Sequence, residues 1–423
     1  MIITKKIVNN FLNLLVLFFP ILIVSGNFLL NLFSVIFSLY ALINFRNLLN
    51  QKILDKKIIF FLLSFVIFIF PYDSIDFKNS FIKYLTFTRY VLMFLGLFIF
   101  FSIQNNIKKF DYIYKIYLLF LVIISIDIIV EYTTGSNIFG YNSSYIGRIA
   151  SFTNDELIIG YIFSFIVIFC ISYISQIFRN NYIFLIGILL CILISFYIGE
   201  RANFIKLTLI LAIFYILNLK KINITKILVI TAVISISSTL FYQFSKETNQ
   251  VQKFSRLFIT VQKSDETNLH SSIKEVIFNT PHAAHYHAAY QIFLNYPMFG
   301  IGINNFYNES KKDKYKNRSL LFNNIRSSTH PHQVYFEIIS EVGIIGATYF
   351  VFVFFYPIII SINNFVKFKN YNLLGHLFLH FFFIFPLIPS GSIFSTIYAI
   401  PFWFNLSILV SLNIKIKEKN LQI

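Results

Sequence analysis

Apolar runs about as long as a bilayer is thick recur along this chain, and nothing else in it constrains the fold as strongly. A helix crosses the hydrocarbon core with ~17–25 mostly apolar residues. Twelve such segments can be read, at about 9–25, 27–45, 57–72, 84–103, 114–132, 157–177, 182–199, 201–219, 226–244, 333–360, 371–389 and 393–411. Of the 423 residues, 57% are hydrophobic and 13% charged, whereas a soluble domain is usually about one quarter charged. The expected fold is therefore an all-α, polytopic membrane protein with about 12 transmembrane helices. The third segment is short and the tenth long, so tilt or an interfacial extension is expected there. The first resembles the apolar core of a signal peptide behind Lys5 and Lys6, but a second span follows at once, so it is read as a retained anchor.

The formal charge of +17 raises nucleic acid as a partner until the cations are located. With the N-terminus inside, every inner connection is basic. They carry Arg46, Lys52, Lys56 and Lys57; Lys108, Lys109 and Lys115; Arg179; Lys220, Lys221 and Lys226; Lys367 and Lys369; and Lys415, Lys417 and Lys419. Asp55, Asp111 and Glu418 are the few acids among them. This is the positive-inside pattern of a membrane protein, and the nucleic-acid reading loses its support. Residues 1–423 read as a single membrane domain, with two large outer loops at about 133–156 and 245–332. The second is long enough for a periplasmic subdomain, and six of the eight histidines lie in it: His270, His282, His285, His287, His330 and His332. Cys170 and Cys191 lie inside apolar runs, with no disulfide framework or zinc spacing.

The chemistry-bearing residues gather on that outer face. In "SSTHPHQVYFEIISEVGIIGATYF", 327–350, Pro331 suits the first position of a helix, which would begin at His330 or His332. The positive helix end there favours neutral imidazoles. They read as a general base, or as interfacial polar residues that cap the helix. Glu337 and Glu341 lie one and two turns further, on one face. Carboxylates inside a membrane usually face a cavity or a partner: Glu337 could orient an imidazole, and Glu341 could do the same or pair with a buried cation. Gly343 and Gly346 offer a small-residue contact for another helix.

"YIGERANFIK", 197–206, places Glu200 and Arg201 in a tight outer turn. Arg201 reads as a bidentate ligand for an anion, best a phosphate, or as one half of a local ion pair. "GRIASFTNDELIIG", 147–160, supplies Arg148 and a helix cap at Asn154 or Asp155. "HAAHYHAAYQIFLNYPMFGIGINNF", 282–306, has the periodicity of a helix ending at Pro297, followed by a glycine-rich turn. His282, His285 and His287 lack the further ligands of a zinc motif, so neither a metal nor another cofactor is expected.

In this order, the patterns resemble the O-antigen ligase and polymerase superfamily of membrane glycosyltransferases. "HPHQVYFEIISEVGIIG" is similar to its His-Asn/Gln-x-Tyr/Phe…Glu-x-Gly-x-x-Gly signature, and "GER" at 199–201 to its Ser/Glu-Arg turn. "HYHAAYQIFLNYPMFGIGINNF" resembles its loop helix with Pro-x-x-Gly-x-Gly-x-x-x-Phe, and "RIASFTNDELIIGY" its Arg…Gly/Ser-x-Phe…Asn segment. The resemblance implies a GT-C-like fold in the bacterial inner membrane, with the active site on the periplasmic face. It implies transfer of a glycan from undecaprenyl diphosphate to a sugar hydroxyl, on lipid A-core in ligases or on another lipid-linked repeat in polymerases. Carried over, His332 takes the place of the essential histidine and Arg201 that of a diphosphate-binding arginine, with Arg148 a weaker candidate. Glu337 would assist catalysis, with His330 and Glu341 in support. The family's second arginine falls on or near His282, a departure that leaves Arg256, Lys274 or Arg326 to replace it. A diphosphate already leaves well, so an acceptor base and cations suffice, with inversion at the anomeric carbon and no metal. The rival class is a lipid-linked oligosaccharide transporter, against which stands the absence of paired broken helices in two halves.

Overall fold

The computed structural model describes residues 2–50, 63–65, 67–103, 110–145, 147–154, 156, 158–178, 181–218, 280–317 and 322–421. The ninth expected span, residues 57–62 and 66 of the third, His270, Arg256 and Lys274 lie outside these residues. Among the described residues the chain is helical and forms no strand. Its principal helices are α1 (Ile2–Leu17), α2 (Phe19–Val24), α3 (Asn27–Asn50), α4 (Phe77–Ile103), α5 (Phe110–Thr134), α6 (Ile159–Ile177), α7 (Asn181–Ile198) and α8 (Arg201–Asn218). They continue with α9 (Pro281–Asn295), α10 (Phe306–Ser310), α11 (Val334–Phe368), α12 (Tyr371–Phe383) and α13 (Thr396–Leu421). Seven are long and apolar enough to cross a membrane: α3, α4, α5, α6, α8, α11 and α13. That count is of the described residues alone, which leave out the ninth expected span. Pro20 divides the first expected span into α1 and α2, because proline cannot donate to the carbonyl four residues back. The eleventh is a helix of 13 residues, Tyr371–Phe383.

The chain forms two compact units, Met1–Ile113 with Ile277–Ile423, and Tyr114–Val276. In the first, α4 packs against α3 and α13. The α3–α4 approach is close because Gly96 has no side chain: a Cβ there would lie 2.0 Å from the Phe37 carbonyl oxygen. Small residues permit such contacts between apolar helices, and side-chain hydrogen bonds add ~0.6 kcal/mol each on average. Here they include Ser38 Oγ to Arg89 O (2.9 Å), Arg89 to Asn31 Oδ1 (2.6 Å) and Asn364 to Asn413 Oδ1 (2.8 Å). Trp403, fully buried, meets Phe87 and Phe94 edge-on at 5.9 and 5.8 Å.

Helix α11 explains the overlong tenth segment. Its 35 residues would reach ~52 Å at 1.5 Å per residue, well beyond a hydrocarbon core of ~30 Å. Gly343 breaks the helix (φ 62°, ψ −168°) and leaves a short helix, 334–342, stacked on a spanning one, 344–368. Beside the short helix sit α9 and α10. Ala288, Ala289 and Ile292 of α9 and Phe306 of α10, with Ile301 and Tyr315 from the segments that follow each helix, bury a small core of their own against Phe336.

In the second unit α6, α7 and α8 pack together. The segment after α5 is tied to that helix by two carboxylates four residues apart. Asp127 accepts from Ile138 N–H (2.9 Å) and from the Ser151 hydroxyl, and Glu131 accepts from Ala150 N–H (3.1 Å) and Ser151 N–H (2.6 Å).

Candidate functional site

The opening turn of α11 differs from the expectation for Pro331. The helix begins at Val334, and its cap is Gln333, whose side-chain oxygen accepts from Tyr335 N–H (2.8 Å) and Phe336 N–H (3.1 Å). Pro331 and both histidines lie ahead of the helix. His332 has φ +58°, a left-handed backbone rare for a residue with a Cβ.

Four imidazoles meet there. The His332 ring centroid lies 4.2 Å from His330, 5.2 Å from His285 and 5.5 Å from His282. His282 and His285 come from one face of α9, and the other pair from the entry to α11. His285 Nδ1 bonds the Arg326 carbonyl oxygen at 2.9 Å. The His332 imidazole has no hydrogen-bond partner among the described residues. Burial, then the neighbouring imidazoles, pull its pKa down to about 3. Burial takes His330 to about 4, against a contact with the Ser390 backbone. The histidines are neutral as anticipated, but through burial and crowding more than through the helix end. Among the described residues no group of three or more His, Cys, Asp or Glu is arranged to hold a metal ion.

The acidic residues have other partners than those foreseen. Glu337, fully buried, accepts from Ile393 N–H at 2.9 Å and from Ser392. Its link to the imidazole is therefore indirect, through the segment joining α12 to α13. Glu341 accepts from Phe306 N–H (3.4 Å), and the cation that acts on it is Lys83.

Gly343 makes no helix–helix contact of the kind expected. It is the gap through which the turn after α9 enters. Ile301 N–H donates to Ser340 O (3.0 Å), Gly302 N–H to Glu341 O (2.8 Å), Ile344 N–H to Pro297 O (2.8 Å) and Ile345 N–H to Met298 O (3.2 Å). A Cβ on Gly343 would lie 2.4 Å from Met298 O, and one on Gly300 2.4 Å from the Glu341 carbonyl carbon. The Pro-x-x-Gly-x-Gly and Glu-x-Gly sequences are thus two halves of one backbone interlock. Ser74, Ser80 and Asn305 fasten its outer side: Asn305 Nδ2 donates to Ser74 Oγ (3.0 Å), Ser80 Oγ (3.0 Å) and Ile301 O (2.8 Å).

Of the cations proposed to stand in for the second arginine, Arg326 is buried. Its guanidinium donates to the carbonyls of Lys311 and Lys312, a structural role. In the second unit Arg201 opens α8 and is exposed, while Arg148 is half-buried. Glu200 accepts from Gly160 N–H (2.9 Å) and Asn203 Nδ2 (2.6 Å), tying the start of α6 to that of α8. Burial raises the Glu200 pKa, against which act those two bonds and the charges of Arg148 and Lys206. Gly199 (φ +79°) lets the turn lie on the Gly147 carbonyl, 2.4 Å from where a Cβ would stand. Ile149 N–H donates to Ile198 O at 3.1 Å, so the two arginine-bearing segments are neighbours. Asp155 lies outside the described residues. Sequence reasoning passed over Asp127 and Glu131, although two carboxylates four apart in an apolar run is the signal that singled out Glu337 and Glu341.

No curated protein matches the chain. A family model described as O-antigen ligase matches residues 186–351, from within α7 to the spanning half of α11. That stretch carries Arg201, the α9 histidines, the interlocked glycines and His332, and over it the chain is similar to the O-antigen ligase family.

Proposed function

We propose that this protein transfers a glycan from undecaprenyl diphosphate to a sugar hydroxyl of lipid A-core, on the periplasmic face of the bacterial inner membrane. The observation that carries this reading is the His332 imidazole: neutral, crowded by three others, and without a hydrogen-bond partner among the described residues. In the proposed step His332 removes the proton from the acceptor hydroxyl. The freed oxygen attacks the anomeric carbon as its bond to the phosphate oxygen breaks, and the configuration inverts. The diphosphate leaves as an anion, and the sequence resemblance assigns its charge to Arg201, with Arg148 a weaker candidate. An imidazole of pKa about 3 is a weak base at neutral pH. The charge of an arriving diphosphate raises it towards the useful range, so the base is strengthened when donor is present. The family match supports the substrate class, and the basic inner connections support the twelve-span topology with residues 245–332 outside.

The test is transfer by the purified protein from a lipid-diphosphate glycan, in the presence of EDTA. General-base assistance is typically worth about 10²–10⁴-fold, so His332→Ala should insert normally and lose activity on that scale. Wild-type turnover by His332→Ala would overturn the assignment. A deletion strain distinguishes the acceptor. Bare core with accumulated lipid-linked polymer means a ligase, whereas core carrying one repeat means a polymerase.

A further inference from the structure

His332 is held in a left-handed backbone, which a residue with a Cβ seldom adopts and which persists only where the surroundings over-determine it. Among the described residues its ring has no hydrogen bond to hold it, so its position is set through the main chain. The main-chain bonds on either side converge on one residue. Ser390 N–H donates to the His332 carbonyl oxygen at 2.8 Å, and Ser390 Oγ accepts from Val334 N–H at 3.1 Å. The Ser390 backbone also contacts the His330 ring.

The rest of the segment joining α12 to α13 fixes Ser390 itself. Ile393 N–H and Ser392 bond Glu337, one turn into α11. Gly391 lies on the buried Tyr398 ring, where a Cβ would come within 2.7 Å of Cδ2. Tyr398 is in turn anchored by its hydroxyl to the Phe383 carbonyl.

We infer that Ser390 is a positioning residue for His332: its amide and hydroxyl clamp the strained backbone on both sides of the base, and Glu337 holds the clamp from α11. This rests on His332 acting as the base. It also gives Glu337 a part that needs no contact with the imidazole.

Transfer kinetics of the purified full chain test the clamp. Misplacing a reacting group by about 1 Å can lower a rate by ~10²-fold. Ser390→Ala removes the hydroxyl and should lower kcat about tenfold or more, with KM within about twofold. Ser390→Thr keeps the hydroxyl and should restore most of the rate. Ser390→Cys, a weaker acceptor of serine's size, should fall between them and carries the test if the alanine variant does not fold. In a His332→Gly background Ser390→Ala should cause no further loss, since it acts only through the base. A merely structural role would not give that non-additivity. Unchanged kcat in Ser390→Ala, or a full further loss beside His332→Gly, overturns the inference alone. Wild-type turnover by His332→Gly refutes the base assignment and this inference with it.

Discussion

Gly343→Ala should destabilise the protein more than Gly346→Ala, although the Gly-x-x-Gly pattern makes the two positions look equivalent. At Gly343 φ is +62° and ψ −168°, a region essentially reserved for glycine, where another residue costs about 1–3 kcal/mol. A Cβ there would lie 2.4 Å from Met298 O and 2.6 Å from Gly300 N, both main-chain atoms of the inserted turn. To relieve the contact the turn must withdraw. That breaks some of the four main-chain hydrogen bonds between 297–302 and 340–345, each worth about 0.5–1.5 kcal/mol net. Strain and two lost bonds together give about 2–6 kcal/mol. At Gly346 a Cβ would meet only a side chain at close range, Val342 across the break, with Cγ2 at 2.5 Å and Cβ at 2.6 Å, and the nearest main-chain oxygen, of Phe68, is 3.6 Å away. The cost there should be about 1–3 kcal/mol, as for overpacking, with no positive-φ strain and no turn bonds lost. Thermal unfolding of detergent-solubilised protein, followed by loss of the monodisperse species, compares the two. Limited proteolysis near Pro297 should show the turn exposed in Gly343→Ala alone. Equal stability of the two variants, or wild-type stability of Gly343→Ala, would refute the interlock.

Other outcomes follow from the same geometry. The unfolded chain protonates His330 and His332 near pH 6.5, whereas the folded chain does so only near about 4 and 3. The unfolded state therefore binds more protons in that window, and stability should fall with pH from 6.5 downwards, by at most about 1.4 kcal/mol per pH unit for each imidazole. Stability that is flat or rising between pH 6.5 and 5 contradicts this, and His330→Asn with His332→Asn should flatten the profile. Arg201→Lys should lose transfer about 10–100-fold, because an ammonium cannot reproduce the planar fork and bonds to charged groups are worth ~1.5–3 kcal/mol; normal donor KM and kcat in that variant would exclude the role. The Tyr286 hydroxyl is buried without a partner among the described residues, and its ring stacks on Phe336 at 4.9 Å. Tyr286→Phe should therefore match the wild type in melting temperature or exceed it, and clear destabilisation would mean a partner has been overlooked.

The membrane class, the all-α fold and the residues that gather around His332 were legible in the chain because hydropathy and capping chemistry are local. A run such as "IGYIFSFIVIFCISYISQI" needs no partner to declare itself a helix for an apolar environment. The histidine signature, the glycine-rich turn and the arginine turn were likewise visible as short patterns. Which groups they meet was not. His282 and His285 reach His332 across more than forty residues of sequence, Glu337 meets Ile393, and Glu341 meets Phe306. A buried polar group must find some partner, and the sequence shows that need without naming the partner. The same holds for the tenth segment, where length betrayed an irregularity but only the turn from 297 to 302 decided that Gly343 would break the helix. His332 itself is the clearest case. Residue type marks it as a candidate base, while its left-handed backbone, its neutral state and the bonds to Ser390 arise from atoms that the chain brings together only on folding.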